Sequence, residues 1–193
     1  MKLFYNKILS ICTKEKSERI LYLISFVESS IFPIPIIFLM IPVQLAKQHK
    51  AIRIGFWVTI SSVLGGILGY SLGYFFYDLI GIKIISFFGY QDQFANLTSK
   101  LSKNIEFWIV FFYAFTPFPY KLLTIGSGFV KFNFWVFIIS SLISRGIRFL
   151  TISVLIWKFG NKIKNFLDKY FNIIIFLITI FTVVSYLLIK FLF

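Results

Sequence analysis

Arg145 and Arg148 stand three residues apart near the middle of an apolar stretch that runs from Phe132 to Trp157. On a helix that spacing puts two guanidinium groups on one face. Paired planar forks match the oxygens of a phosphate, so the chemistry suggested is anion recognition. A central arginine costs about 2.5 to 3.5 kcal/mol on insertion scales, and two of them require partners or a water-filled cavity. Glu28 and Lys121 also lie within apolar stretches. One carboxylate cannot neutralise three cations. The surplus suits an anionic ligand, and a purely architectural bridge between Glu28 and an arginine is the alternative.

Other chemistries find little support. Gly126-Ser127-Gly128 has the look of a nucleophile turn, but the single histidine, His49, lies in a loop, and the tripeptide reads better as a break ending an apolar hairpin. Glu15, Glu18, Asp78, Asp92, Glu106 and Asp168 fall in loops or at stretch ends, so no carboxylate pair is set to hold Mg²⁺. No phosphate-binding glycine loop is present to engage ATP. The lone Cys12 excludes an intramolecular disulfide and a Cys-rich metal site. The expectation is a protein that is not an enzyme and needs no cofactor or metal. The formal charge of +13 comes from basic residues in short loops, where they report topology and contact with anionic headgroups rather than nucleic acid.

With 59% hydrophobic and 14% charged residues, the chain has too little polar surface for a soluble domain of 193 residues. Apolar stretches run over 20–46, 54–80, 107–130, 132–157 and 171–193, each long enough to cross hydrocarbon. The first is too long for a signal-peptide core, contains Glu28 and lacks a cleavage site. All four tryptophans sit at stretch ends, as an interfacial belt would place them. Residues 1–19 are basic with apolar positions at helical spacing and read as a helix on the membrane surface. Residues 81–106 read similarly, with Asp92 as a cap before Phe94, Leu97 and Leu101.

All five prolines cluster in two of the apolar stretches, as Pro33, Pro35 and Pro42 and as Pro117 and Pro119. A Pro-X-Pro removes backbone donors and clashes with the preceding turn, so both stretches must break. Irregular backbone at membrane depth is tolerated only when buried in protein or lining a cavity, which favours re-entrant hairpins over 20–46 and 107–130. Charge bias alone does not decide between hairpins and full spans, because Lys83, Lys100 and Lys103 simply exchange with Lys47, Lys50 and Arg53 on the inner side. An internal repeat supports the hairpins. Phe32-Pro-Ile-Pro35 recurs as Thr116-Pro-Phe-Pro119, and Ile60-Ser61-Ser62 recurs as Ile139-Ser140-Ser141. The bland alternative is chance likeness between short apolar runs. The expected fold is therefore an all-α polytopic membrane protein. It has two inverted halves, each a hairpin plus a transmembrane helix, and a further C-terminal span. Ser61, Gly65, Gly69 and Gly73, with Gly66, leave one helix face nearly bare, by default for helix packing and alternatively as room for an acyl chain.

Glu28-Ser-Ser-Ile-Phe-Pro-Ile-Pro35, the glycine-rich run Gly65 to Tyr74, Phe115-Thr-Pro-Phe-Pro-Tyr-Lys121 and Ser144-Arg-Gly-Ile-Arg-Phe149 occur in an order that resembles the DedA family, also called VTT or SNARE-associated membrane proteins, and within it the YqaA-type branch. The resemblance implies facing re-entrant hairpins in a bacterial inner membrane. It also implies movement of phospholipid or polyprenyl phosphate between leaflets, with the embedded acid at Glu28 and the basic pair at Arg145 and Arg148. Where many relatives carry an acid just after the first Pro-X-Pro, this chain has Ile36 and Ile37, which weakens proton-driven pumping. The leading expectation is a scramblase-like or flippase-like translocator using Glu28, Pro33, Pro35, Pro117, Pro119, Lys121, Arg145 and Arg148. The alternatives are a proton-coupled carrier of a small solute and a membrane assembly factor. A homo-oligomer is compatible with all three.

The hairpin arrangement places Gln48 on the same, cytoplasmic side as the N-terminus. Gln48→Cys in a Cys12→Ser background should resist an impermeant thiol reagent applied to intact cells, and labelling from outside would rule the arrangement out.

Overall fold

A computed structural model describes residues 16–30, 36–116 and 119–192, with side chains described up to 163 apart from 84 and 97. Pro33, Pro35, Pro117, Cys12 and all but the end of the 1–19 segment lie outside the described residues. The described residues form helices without strands. These are α1 (Lys16–Ser30), α2 (Ile36–Ala46), α3 (Ala51–Phe76), α4 (Ile82–Phe87), α5 (Gln91–Ser99), α6 (Lys103–Phe115), α7 (Tyr120–Phe129) and α8 (Phe134–Leu192). A 3-10 turn, Gln48–Lys50, precedes α3, and a wide π-type turn, Tyr77–Gly81, follows it. The helical path of α8 is interrupted at Phe159 (φ −120°, ψ 16°). The chain divides there into two compact units, residues 1–157 and 158–193. Two helical segments, Gln48–Gly81 and Phe134–Ile163, are long and apolar enough to cross a membrane.

Each proline-bearing stretch is two helices rather than one. A continuous helix from Glu18 to Lys47 would separate them by about 43 Å at 1.5 Å per residue. Instead Lys47 Nζ meets Glu18 Oε1 at 2.8 Å. The chain has therefore folded back. Leu21 of α1 shares a core with Ile36, Met40 and Val43 of α2 and Ile54 and Val58 of α3. Partial burial opposes ionisation of Glu18, but the Lys47 hydrogen bond and the charges of Lys47, Lys50 and Arg53 outweigh it and hold the carboxyl below its ordinary range. The second stretch closes in the same way. Glu106 in the first turn of α6 accepts a hydrogen bond from the backbone N–H of Asn133, beyond the end of α7, at 2.9 Å.

The long helices cross-brace the two halves. α3 packs along α1 of its own half and α7 of the other. Ser61 Oγ donates to the Tyr22 carbonyl and Ser25 Oγ to the Val58 carbonyl, at 2.5 and 3.0 Å. A methyl on Gly65 would overlap the carbonyl of Phe26, one on Gly69 the hydroxyl of Thr124, and one on Gly73 the carbonyl of Ile125. α8 does the reciprocal. Ser144 Oγ donates to the Phe111 carbonyl of α6 at 2.8 Å, and Ser153 Oγ accepts from Gln44 of α2 at 2.7 Å.

Two sequence expectations need correction. Asp92 does not cap α5. The N-cap is Tyr90 and Asp92 lies within the first turn, where a negative side chain still favours the helix start. Gly126-Ser127-Gly128 is not a break either. α7 runs through it to Phe129, because a bare Gly128 lets the Tyr70 carbonyl of α3 come to contact.

Gly73 and Gly126 make a controlled pair, since a methyl on Gly126 meets nothing within 4 Å. Gly73→Ala should destabilise the protein by roughly 1 to 3 kcal/mol through overpacking against backbone. Gly126→Ala should be neutral or stabilising by up to about 1 kcal/mol from helix propensity. Thermal unfolding of the two variants in detergent checks the contrast.

Candidate functional site

Arg145, only 2% exposed, is the centre of the buried polar cluster. Its Nε donates to Ser62 Oγ of α3 at 2.8 Å. One terminal nitrogen reaches Glu28 Oε2 at 3.1 Å and Ser29 Oγ at 3.3 Å, both on α1. Ser29 and Ser62 hydrogen-bond to each other at 2.7 Å, so the two hydroxyls brace the side of the guanidinium that carries its counter-charge. Two aromatic rings approach the guanidinium as well. The Tyr120 ring of α7 lies 4.2 Å from the guanidinium carbon and the Phe149 ring 4.8 Å, both within cation–π range. A single side chain of α8 thus touches α1, α3 and α7. Gly66 makes room for one of these contacts, since a methyl there would come within 2.8 Å of the Tyr120 hydroxyl.

Arg148 lies one turn along the same face and does something different. It is partly buried and donates to the carbonyl of Thr116 at 2.7 Å. Thr116 is extended (ψ 163°) at the end of α6, where the proline break stops the helix and leaves carbonyls without their helical donors. Among the described residues no carboxylate lies within ion-pairing distance of Arg148. Pro119 is the N-cap of α7. Lys121 sits in the first turn of α7, partly buried, with its own backbone carbonyl accepting from Thr124 Oγ1 at 3.0 Å.

The structure thus joins Glu28 to Arg145 and brings Arg148 to the second break, but the two arginines do not converge on one point. Ser61, Gly65, Gly66, Gly69 and Gly73 all face other helices. Ser29, Tyr120 and Phe149 complete the cluster. Ser29 was within reach of sequence reasoning because it follows Glu28 directly, whereas nothing in the sequence marked Tyr120 or Phe149. Glu106, read as a residue at a stretch end, is 8% exposed and buried by the closure of the second hairpin.

The described residues are all-helical, with two span-length apolar helices and a buried arginine–carboxylate pair between α1 and α8. The VTT domain model matches residues 32–158, and the chain belongs to the DedA family of membrane proteins that this domain defines. A Haemophilus influenzae protein described as uncharacterized is 33% identical over 170 residues, covering 86% of each chain. A Histophilus somni protein, likewise described as uncharacterized, is 33% identical over 193 residues, covering 98% of this chain and all of that one. No solved structure matches.

Removing one member of a buried pair strands the other, typically at a cost of about 3 to 5 kcal/mol. Arg145→Met should therefore be strongly destabilised. Glu28→Gln should lose less, because its amide oxygen can still accept from Arg145. Combining Glu28→Met with Arg145→Met should cost well below the sum of the single changes. Unfolding of the four variants in detergent measures the coupling, and additive losses would show that no coupled pair exists.

Proposed function

We propose that this protein moves phosphate-bearing lipid headgroups between leaflets, along a polar path between two re-entrant hairpins in a bacterial inner membrane with its N-terminus in the cytoplasm. The observation that carries the reading is Arg148. It is a cation at membrane depth whose partner is a backbone carbonyl rather than a carboxylate, so the cluster of Glu28, Arg145 and Arg148 keeps a net positive charge. A buried charge in that condition favours an anion that supplies what the protein does not. The acyl chains stay in the bilayer while the headgroup meets Arg148 and Lys121 beside the break. Hairpins support the path because their ends bring irregular backbone to the same depth as the basic residues. Glu28 serves chiefly as the counter-charge that holds Arg145 in place.

A proton-coupled carrier of a small solute would place Glu28 on a proton path. The absence of a second acid at Ile36 and Ile37 counts against it. Vesicles without ion or pH gradients separate the two readings, because barrier-lowering translocation persists there and coupled uptake does not.

Lysine keeps the charge of arginine but loses the planar fork. Arg148→Lys should slow movement of labelled phospholipid per monodisperse protein by at least about tenfold, the equivalent of one charge-assisted hydrogen bond of about 1.5 kcal/mol, whereas Arg145→Lys should chiefly lower the yield of monodisperse protein. Wild-type specific activity in Arg148→Lys would eliminate headgroup recognition by this residue.

A further inference from the structure

A pocket of about 260 Å³ lies away from the arginine cluster, between α5 and the ends of α3, α6 and α7, with Tyr77, Phe94, Thr98, Glu106 and Lys131 among its walls. Glu106 is the informative residue. The residue as a whole is 8% exposed, yet the ion pairs among the described residues leave its carboxylate without a cation within 4 Å, and its hydrogen bond comes from a neutral backbone N–H. A buried carboxylate lacking a counter-charge favours a cation. The aromatic wall tolerates one. Lys131 Nζ already sits 4.7 and 4.8 Å from the ring centres of Tyr77 and Tyr74, and Phe94 stacks on Tyr77 at 5.5 Å.

Lys131 supplies the opposite charge at the rim. Its backbone is left-handed (φ 58°), a conformation in which glycine would be the unstrained choice, and a lysine stands there nonetheless. Its ammonium is bonded to Asp78 at 2.6 Å but remains exposed and able to meet a further acceptor. A simple anion entering the pocket would meet Glu106, and a simple cation would meet Lys131. A ligand carrying an ammonium and a phosphate a few ångströms apart satisfies both.

We propose that this pocket is a second binding site, selective for an ammonium–phosphate zwitterion of the phosphoethanolamine type, with the ammonium on Glu106 and the phosphate on Lys131. Its place supports a lipid source. It adjoins the end of α3, whose 26 residues exceed the hydrocarbon thickness of about 30 Å, so the membrane placement proposed above puts it at headgroup level. The site shares no residue with the arginine cluster, so its failure would leave the translocation reading standing.

Native mass spectrometry of the full chain in detergent tests it by titration with dihexanoyl phosphatidylethanolamine, dihexanoyl phosphatidylglycerol and free phosphoethanolamine. The ethanolamine lipid should bind at least tenfold more tightly than the glycerol lipid. Glu106→Gln, which retains an oxygen for the Asn133 N–H, should erase that preference. Lys131→Gln, at an exposed position, should weaken both lipids alike. Free phosphoethanolamine binding as tightly as the lipid would uphold the zwitterion site and assign it to a soluble ligand. Equal binding of the two lipids to wild type, a preference that survives Glu106→Gln, or unchanged binding to Lys131→Gln would overturn the proposal.

Discussion

The Arg145 guanidinium is the point on which the packing of the two halves converges. It leaves α8, pairs with Glu28 on α1, bonds Ser62 on α3 and is covered by Tyr120 of α7. Few interactions could hold four elements at once in an apolar medium. A guanidinium does, because it offers donors around its edge and two flat faces for aromatic rings. The same property makes the arrangement exacting. An arginine in hydrocarbon is tolerable only if each of those elements is in register, so burial of this one charge disfavours slipped alternatives to the native packing.

Around that centre the helices are joined by contacts that need no hydrophobic drive, which lipid would not supply between apolar helices. Hydroxyls reach across to backbone carbonyls at Ser25, Ser61 and Ser144, and glycines let carbonyls of neighbouring helices approach at Gly65, Gly73 and Gly128. The halves use corresponding positions differently. Gly65 meets the Phe26 carbonyl by being bare, whereas Ser144, its counterpart in the repeat, meets the Phe111 carbonyl by donating to it. Equivalent interfaces are thus held by packing on one side and by hydrogen bonding on the other.

The pairing of Glu28 with an arginine was legible because charges inside apolar stretches are rare and few partners compete for each. That both stretches break was legible for a similar reason, since proline leaves an extended helix no option but to break, whereas the direction the chain takes after each break was not. Tyr120 and Phe149 were not legible as guanidinium covers. In a chain that is 21% aromatic, another ring carries no positional signal. Glu106 misled because a carboxylate at a stretch end resembles a solvated one, and only the closure of α6 against Asn133 reveals that it is buried. The glycines around Ser127 misled in the opposite direction. Gly looks like a helix breaker in sequence, yet here it is the residue that allows α7 to lie against α3.

The partners of the two arginines also set the order in which an anion could engage them. To reach the donors of Arg145 that are taken, a phosphate would have to displace Glu28 and both serines, which means breaking a buried ion pair worth about 3 to 5 kcal/mol to the partner left behind. To reach Arg148 it need only compete with the neutral carbonyl of Thr116, and an ionised acceptor forms the stronger bond of the two. On the proposed reading Arg148 is therefore the point of first contact, and Arg145 acts by keeping the helix that carries it fixed. The released Thr116 carbonyl then needs a donor of its own, so engagement of the headgroup and rearrangement of the second break are one event rather than two.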